Sequence, residues 1–113
     1  MKADASTLDR LYQAILDRRG ADPTVSYTAK LFSRGRPKIA QKLGEEAVEV
    51  VIDAIRDDVQ AVAEESADLL YHLLVLWADA GLEPADIFQI LEKREGVSGI
   101  AEKASRKKDK RAS

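Results

Sequence analysis

Residues 44–70 read GEEAVEVVIDAIRDDVQAVAEESADLL. Apolar residues recur there every three or four positions on both sides of Asp57 and Asp58, the pattern of two consecutive amphipathic helices joined by a tight turn. Nine of these residues are acidic and one, Arg56, is basic. The acids cluster as Glu45, Glu46 and Glu49 in the first helix and Glu64, Glu65 and Asp68 in the second. Each cluster spans about one turn, and no lysine or arginine stands four residues on to offset it.

The helical period extends outward from this stretch. Ser6 or Thr7 is placed to cap a first helix through about Arg19, with Leu8, Leu11, Tyr12, Ile15 and Leu16 as its apolar stripe and Gly20 as its stop. Asp22 and Pro23 open a loop, and Tyr27–Phe32 form a short helical element. The sequence SRGRP, Ser33–Pro37, breaks it. Pro37 suits the first turn of the next helix, where its missing N–H would be unpaired anyway. That helix runs to about Ile55 with Ile39, Leu43, Ala47, Val50, Val51 and Ala54 on its core face. Asp57 or Asp58 caps a third long helix to about Ala80, stopped by Gly81. Glu83 and Pro84 start the last helix, through about Arg94, with Ile87, Ile90 and Leu91 inside. Alternating strand patterns are missing, so the expected fold is an all-α bundle of four to five helices.

The second half of the third long helix, LLYHLLVLWA, is apolar on every side and calls for cover on every side. So short a chain has few helices to provide it. The expectation is a homodimer in which a second copy completes the bundle, across part of Leu69–Trp77.

The chain has 113 residues, 45% hydrophobic and 34% charged, the size and composition of one soluble domain. A formal net charge of −2 gives no field directed at nucleic acid. With no cysteine there is no disulfide framework, thiolate metal site or cysteine nucleophile. The N-terminus lacks the apolar run of a signal peptide, and Leu69–Ala78 is too short to span a bilayer. A cytoplasmic protein with no membrane partner is expected. The folded domain is expected over residues 1–95. Residues 96–113 form a basic segment, at least partly disordered, in which Glu102–Ser113 carries six basic and two acidic residues.

At about 100° per residue, Lys38, Lys42, Glu45, Glu46, Glu49 and Asp53 share one face of the second long helix. Glu65 and Asp68 are neighbours on the next helix, and His72 follows one turn later. A solvated acidic face is the ordinary reading of such a pattern. Solvated faces usually mix signs, however, and like charges at helical spacing are destabilising. Two acidic clusters on antiparallel helices repel unless a cation sits between them. Oxygen ligands with no cysteine and a single histidine suit Mg2+ or Mn2+ better than Zn2+. His72 is read as a core residue or a support behind the ligands.

Ser33, Arg34, Arg36 and Lys38 stand at the start of the same helix, and Lys42 follows one turn on. Helix N-termini attract anions, and arginine grips phosphate oxygens with paired hydrogen bonds. Basic groups at one end and a metal at the other match a polyphosphate.

The pattern Glu45-Glu46-Ala47-Val48-Glu49, followed by Glu65-Ser66-Ala67-Asp68, resembles the all-α nucleoside triphosphate pyrophosphohydrolase superfamily (MazG-like). The stretches SYTAKLFSRGRPKIAQKLGEEAVEVVIDA, EESADLLYHLLVLW and GVSGIAEKASR, in this order, are similar to the phosphoribosyl-ATP pyrophosphohydrolases of histidine biosynthesis. That resemblance covers nearly the whole chain. It implies Mg2+-dependent hydrolysis of the α–β phosphoanhydride of phosphoribosyl-ATP, giving phosphoribosyl-AMP and pyrophosphate. It assigns Glu46, Glu49, Glu65 and Asp68 to the metal, with Glu45 and Asp53 as outer ligands or the water-orienting base. Ser33, Arg34, Arg36, Lys38 and Lys42 would hold phosphates. A broad-specificity nucleoside triphosphate pyrophosphohydrolase would share these acidic helices and differ in its substrate pocket. A non-enzymatic helical interaction module would need no metal. A ferritin-like di-iron site is disfavoured by the lack of paired Glu-x-x-His motifs.

Overall fold

The computed structural model describes residues 3–96 together with Lys103, Ala104 and Arg106. These residues form five helices and no strand: α1 Ser6–Asp17, α2 Tyr27–Arg34, α3 Arg36–Ile55, α4 Val59–Ala80 and α5 Pro84–Arg94. The all-α expectation holds. The segment GVSGIAEKASR and the basic tail beyond it lie almost wholly outside the described residues.

Local chemistry explains where the helices stop. Neither Ser6 nor Thr7 caps α1. The Asp4 carboxylate does that work, accepting from the Ser6 N–H at 2.9 Å and from the Ser6 hydroxyl. α1 contains its whole apolar stripe but ends at Asp17, short of the expected Arg19, because the Arg18 and Arg19 N–H groups donate to the Ile15 and Leu16 carbonyls in a tighter turn, both at 3.1 Å. Ser26 caps α2, its hydroxyl accepting from the Ala29 N–H at 3.1 Å. α2 continues to Arg34, so the break before α3 narrows to Gly35. That residue has φ of 86°, a conformation that strains any side chain, and Pro37 follows in the first turn of α3. Between α3 and α4, Asp57 adopts a left-handed φ of 59°. Asp58 then caps α4 by accepting from the Ala61 N–H at 3.1 Å.

α3 and α4 pack along each other as an antiparallel hairpin. α1 and α2 lie against α4, α2 also touches α3, and α5 reaches only α1 among its substantial contacts. The core therefore gathers at one end of the hairpin. It contains Tyr12 and Ile15 from α1, Leu31 from α2, Ile39 from α3, and Leu74, Val75 and Ala78 from α4.

This placement changes where uncovered apolar surface lies. The LLYHLLVLWA segment is covered largely by its own chain: His72, Leu74, Val75 and Ala78 are buried, and of its leucines only Leu70 is exposed. On the expected core face of α3, Ile39 is buried and Leu43, Ala47 and Val50 are partly covered, but Val51 and Ala54 are exposed. Near the hairpin turn Ile55 is 81% and Val59 74% exposed. On α5, Ile90 and Leu91 are about half exposed, against the expectation that they face inward. The reason is geometric. The helices that cover the hairpin converge on the C-terminal half of α4, which leaves the turn end bare.

Candidate active site

The wheel of α3 and the antiparallel α4 bring carboxylates from two helices together. Glu46, Glu65 and Asp68 each offer an oxygen, and these atoms lie within 4.8 Å of one another. Glu46 and Glu65 are partly buried and Asp68 is exposed, so the cluster opens to solvent on one side. Glu49, expected as a fourth ligand, is exposed and stands outside this trio.

Crowding leaves a mark on Glu65. Its carboxyl is pushed up to about 7, chiefly through a proton shared with Glu46, then by burial and by the charges of Glu46, Asp68 and Asp53. The Asp53 charge is the last of these causes and acts on Glu65. Glu45 points elsewhere in chemistry. Its carboxylate accepts from the Gln41 amide at 3.1 Å and pairs with Lys42 Nζ at 3.4 Å. The Gln41 bond first, then the charge of Lys42, holds Glu45 below the usual carboxylate range.

Three carboxylates with oxygens this close together, one of them pushed up to about 7, fit a hard divalent cation, which would take the place of a proton between them. The sign of the pH effect follows. Between about pH 4.5 and 7 the folded chain holds a proton on Glu65 that the unfolded chain has released. The stabilisation is full below about 4.5 and lost by about 7. The melting temperature of protein in chelator is therefore expected to fall across that window, and millimolar Mg2+ to offset the fall at its upper end. Thermal scans at matched ionic strength check both.

The basic side chains occupy the α2–α3 junction. Arg34 ends α2 and is exposed; Lys38 and Lys42 are partly buried on the acidic face of α3. Ser33 donates its hydroxyl to the Lys30 carbonyl at 2.7 Å. Arg36 is committed to the C-terminal end of α4. Its Nε bonds Asp79 Oδ2 at 2.7 Å, and a terminal nitrogen bonds the Asp79 carbonyl at 3.0 Å. Sequence spacing gave no sign of that pair, because its partners are 43 residues apart.

His72 is buried and stands outside the carboxylate trio. Its Nδ1–H donates to the Asp68 carbonyl at 2.9 Å, and Nε2 lies 3.3 Å from the Tyr27 hydroxyl. It supports the helix turn that carries Asp68. The sequence sets Tyr27 near the phosphate loop, where it could meet a base, with a core position as the favoured reading; the structure leaves its side chain half exposed.

Residues 8–95 match the family model of phosphoribosyl-ATP pyrophosphohydrolase. The chain belongs to this family. It is similar to the phosphoribosyl-ATP pyrophosphatase of Azospirillum brasilense, 67% identical over 106 residues that cover 94% of this chain and 96% of the relative. The enzyme of the same name from Paramagnetospirillum magneticum is 57% identical over 108 residues, 96% and 99% of the two chains. That of Parvibaculum lavamentivorans is 59% identical over 106 residues, 94% and 97%. The phosphoribosyl-ATP pyrophosphohydrolase match takes in the acidic trio, the α2–α3 junction and His72, and it ends before the basic C-terminal segment.

Proposed function

We infer that the chain hydrolyses the α–β phosphoanhydride of phosphoribosyl-ATP, releasing phosphoribosyl-AMP and pyrophosphate in histidine biosynthesis, as a cytoplasmic, Mg2+-dependent homodimer. The observation that carries the reading is the trio Glu46, Glu65 and Asp68, closed by two helices of a chain that belongs to the phosphoribosyl-ATP pyrophosphohydrolase family.

Glu46, Glu65 and Asp68 would hold the Mg2+, with Glu49 one turn along α3 from Glu46 as a further ligand. Mn2+ would fit the same oxygens. Bound Mg2+ supplies charge neutralisation on the leaving pyrophosphate and acidifies the attacking water. The chain's own side chains do the rest. Lys38, Lys42 and Arg34 neutralise phosphate oxygens and stabilise the charge that develops there, the usual main contribution in phosphoryl transfer. Ser33 borders them, and Arg36 fixes the start of α3 against Asp79 beside the same junction. Of the two carboxylates considered for orienting water, Glu45 is tied to Gln41 and Lys42, while the Asp53 charge bears on Glu65, which favours Asp53 as the group that takes the proton.

Substrate choice tests the reading. ATP shares the triphosphate but lacks the ribose 5-phosphate on its adenine ring. A site that anchors both ends would lose charge-assisted hydrogen bonds with ATP, each about 1.5–3 kcal/mol. Losing two of them is expected to lower kcat/KM for ATP by on the order of a hundredfold or more. Pyrophosphate release from each nucleotide in competition checks this. Comparable values for ATP or other triphosphates would assign the chain to broad nucleotide hydrolysis instead.

The homodimer reading rests on the bare apolar positions Val48, Val51, Ile52, Ile55, Val59 and Leu70 along the hairpin. Light scattering at micromolar concentration should give twice the chain mass, and Val51→Glu should reduce it to the monomer.

A further inference from the structure

His72, which bonds the backbone carbonyl of Asp68, also meets an aromatic side chain that the chemistry above does not use. Tyr27, the first residue of α2, is 51% exposed. Its ring is nevertheless fixed. The hydroxyl lies 3.3 Å from His72 Nε2, and the ring runs nearly parallel to Tyr71, at 25° and 6.3 Å between centroids. His72 is buried and held in turn: its Nδ1–H is used on the Asp68 carbonyl, which leaves Nε2 to accept from the Tyr27 hydroxyl. Tyr71 meets the imidazole edge-on at 5.0 Å and hydrogen-bonds Thr28 through its hydroxyl. Two well-buttressed rings thus hold a third with much of its surface in water.

We propose that the exposed face of Tyr27 is the platform on which the adenine base of the substrate stacks, and that His72 is the positioning residue that holds it there. The inference rests on the hydrolase reading and adds how the base is recognised. Three observations carry it. The ring is tied through His72 to the residue that bears the Asp68 carboxylate, so base and metal-bound phosphates would be held by adjoining parts of one site. The ring is pre-ordered, so stacking on it costs little side-chain entropy. And α2 leads from Tyr27 to Arg34, on the same side of the helix two turns along, toward the phosphate-binding junction.

The test separates base from phosphate. Binding of α,β-methylene-ATP and of inorganic tripolyphosphate, each with Mg2+, is measured by calorimetry on the full chain. Tyr27→Leu is expected to weaken the nucleotide about tenfold, the scale of one base–aromatic stack, and to change tripolyphosphate less than twofold. Tyr27→Phe keeps the ring but loses the hydroxyl, so its affinity should fall between wild type and Tyr27→Leu. His72→Phe removes the same bond from the other side. The double variant with Tyr27→Phe should then lose no more than the weaker-binding of the two singles, because both abolish one interaction. Equal losses for nucleotide and tripolyphosphate would assign Tyr27 to packing and overturn the proposal, as would unchanged nucleotide affinity in Tyr27→Leu. Failure of the hydrolase reading looks different: wild-type protein would then neither release pyrophosphate from phosphoribosyl-ATP nor bind tripolyphosphate with Mg2+.

Discussion

Replacing Glu46 with glutamine is expected to cut kcat/KM for phosphoribosyl-ATP by about a thousandfold, ~4 kcal/mol of lost transition-state stabilisation. Glu46 is the member of the trio that α3 supplies, so its loss weakens the hold on the cation between the two helices even with Glu49 in place. The same substitution should stabilise the metal-free protein near neutral pH. Glu65 owes its raised titration first to Glu46, through a shared proton and through charge. With a neutral amide in that place, Glu65 should ionise at lower pH, and the fall of melting temperature between about pH 4.5 and 7 should flatten. Asp68→Asn should lose comparable activity with a smaller effect on that pH dependence, since Asp68 contributes less to the shift. The opposite pair of outcomes, less activity with more stability, separates removal of a ligand from ordinary damage to the fold. Full activity of Glu46→Gln, or of wild type in excess chelator, would exclude the metal reading.

Leu74→Ala should cost about 2–5 kcal/mol of folding stability, the usual range for emptying a fully buried leucine site. Leu74 is 1% exposed and sits where α1, α2 and α3 converge on α4. Domains of this size are stable by only about 5–15 kcal/mol, so a drop in melting temperature of roughly 10 °C or more is expected. Ile55→Ala is the informative comparison. In one chain Ile55 is 81% exposed, and its truncation should change stability by no more than about 0.5 kcal/mol. If a second copy covers the hairpin end, the Ile55→Ala loss should grow as the protein is concentrated, because dimer stability depends on concentration. Melting curves over a hundredfold range of concentration distinguish the two cases.

Much of this site is legible because its parts are local. Glu46 and Glu49 share a face of α3, and Glu65 and Asp68 share a turn of α4, by helical geometry alone. The tight turn at Asp57 and Asp58 then requires the two helices to be antiparallel neighbours. Stop signals placed the helix ends to within about two residues, since capping is also a local matter. What was not legible depends on pairs far apart in sequence. The apolar run of α4 was expected to be covered by a second copy; within one chain His72, Leu74, Val75 and Ala78 are buried, Leu70 is exposed, and the other five residues are partly covered. The apolar face of α3 was expected to be core along its length, yet Val51 and Ala54 toward its far end are exposed.

The sequence by itself determined that the described part of this protein folds as helices joined by short turns and loops, that two acidic clusters lie on adjoining helices, and which family it resembles. These follow from periodicity, capping chemistry and residue type, none of which needs a tertiary contact. The tertiary structure decided which carboxylates meet: Glu46, Glu65 and Asp68 converge, and Glu49 is not among the oxygens that close the trio. It also decided that Arg36 turns to Asp79 and that His72 joins Asp68 to Tyr27. The physical reason is that a side chain's partner is set by how helices cross and slide against each other. A shift of one residue along α4 would rotate a different carboxylate toward α3, and only the packing of Leu74, Val75 and Ala78 against Ile39, Leu31 and Ile15 fixes that register.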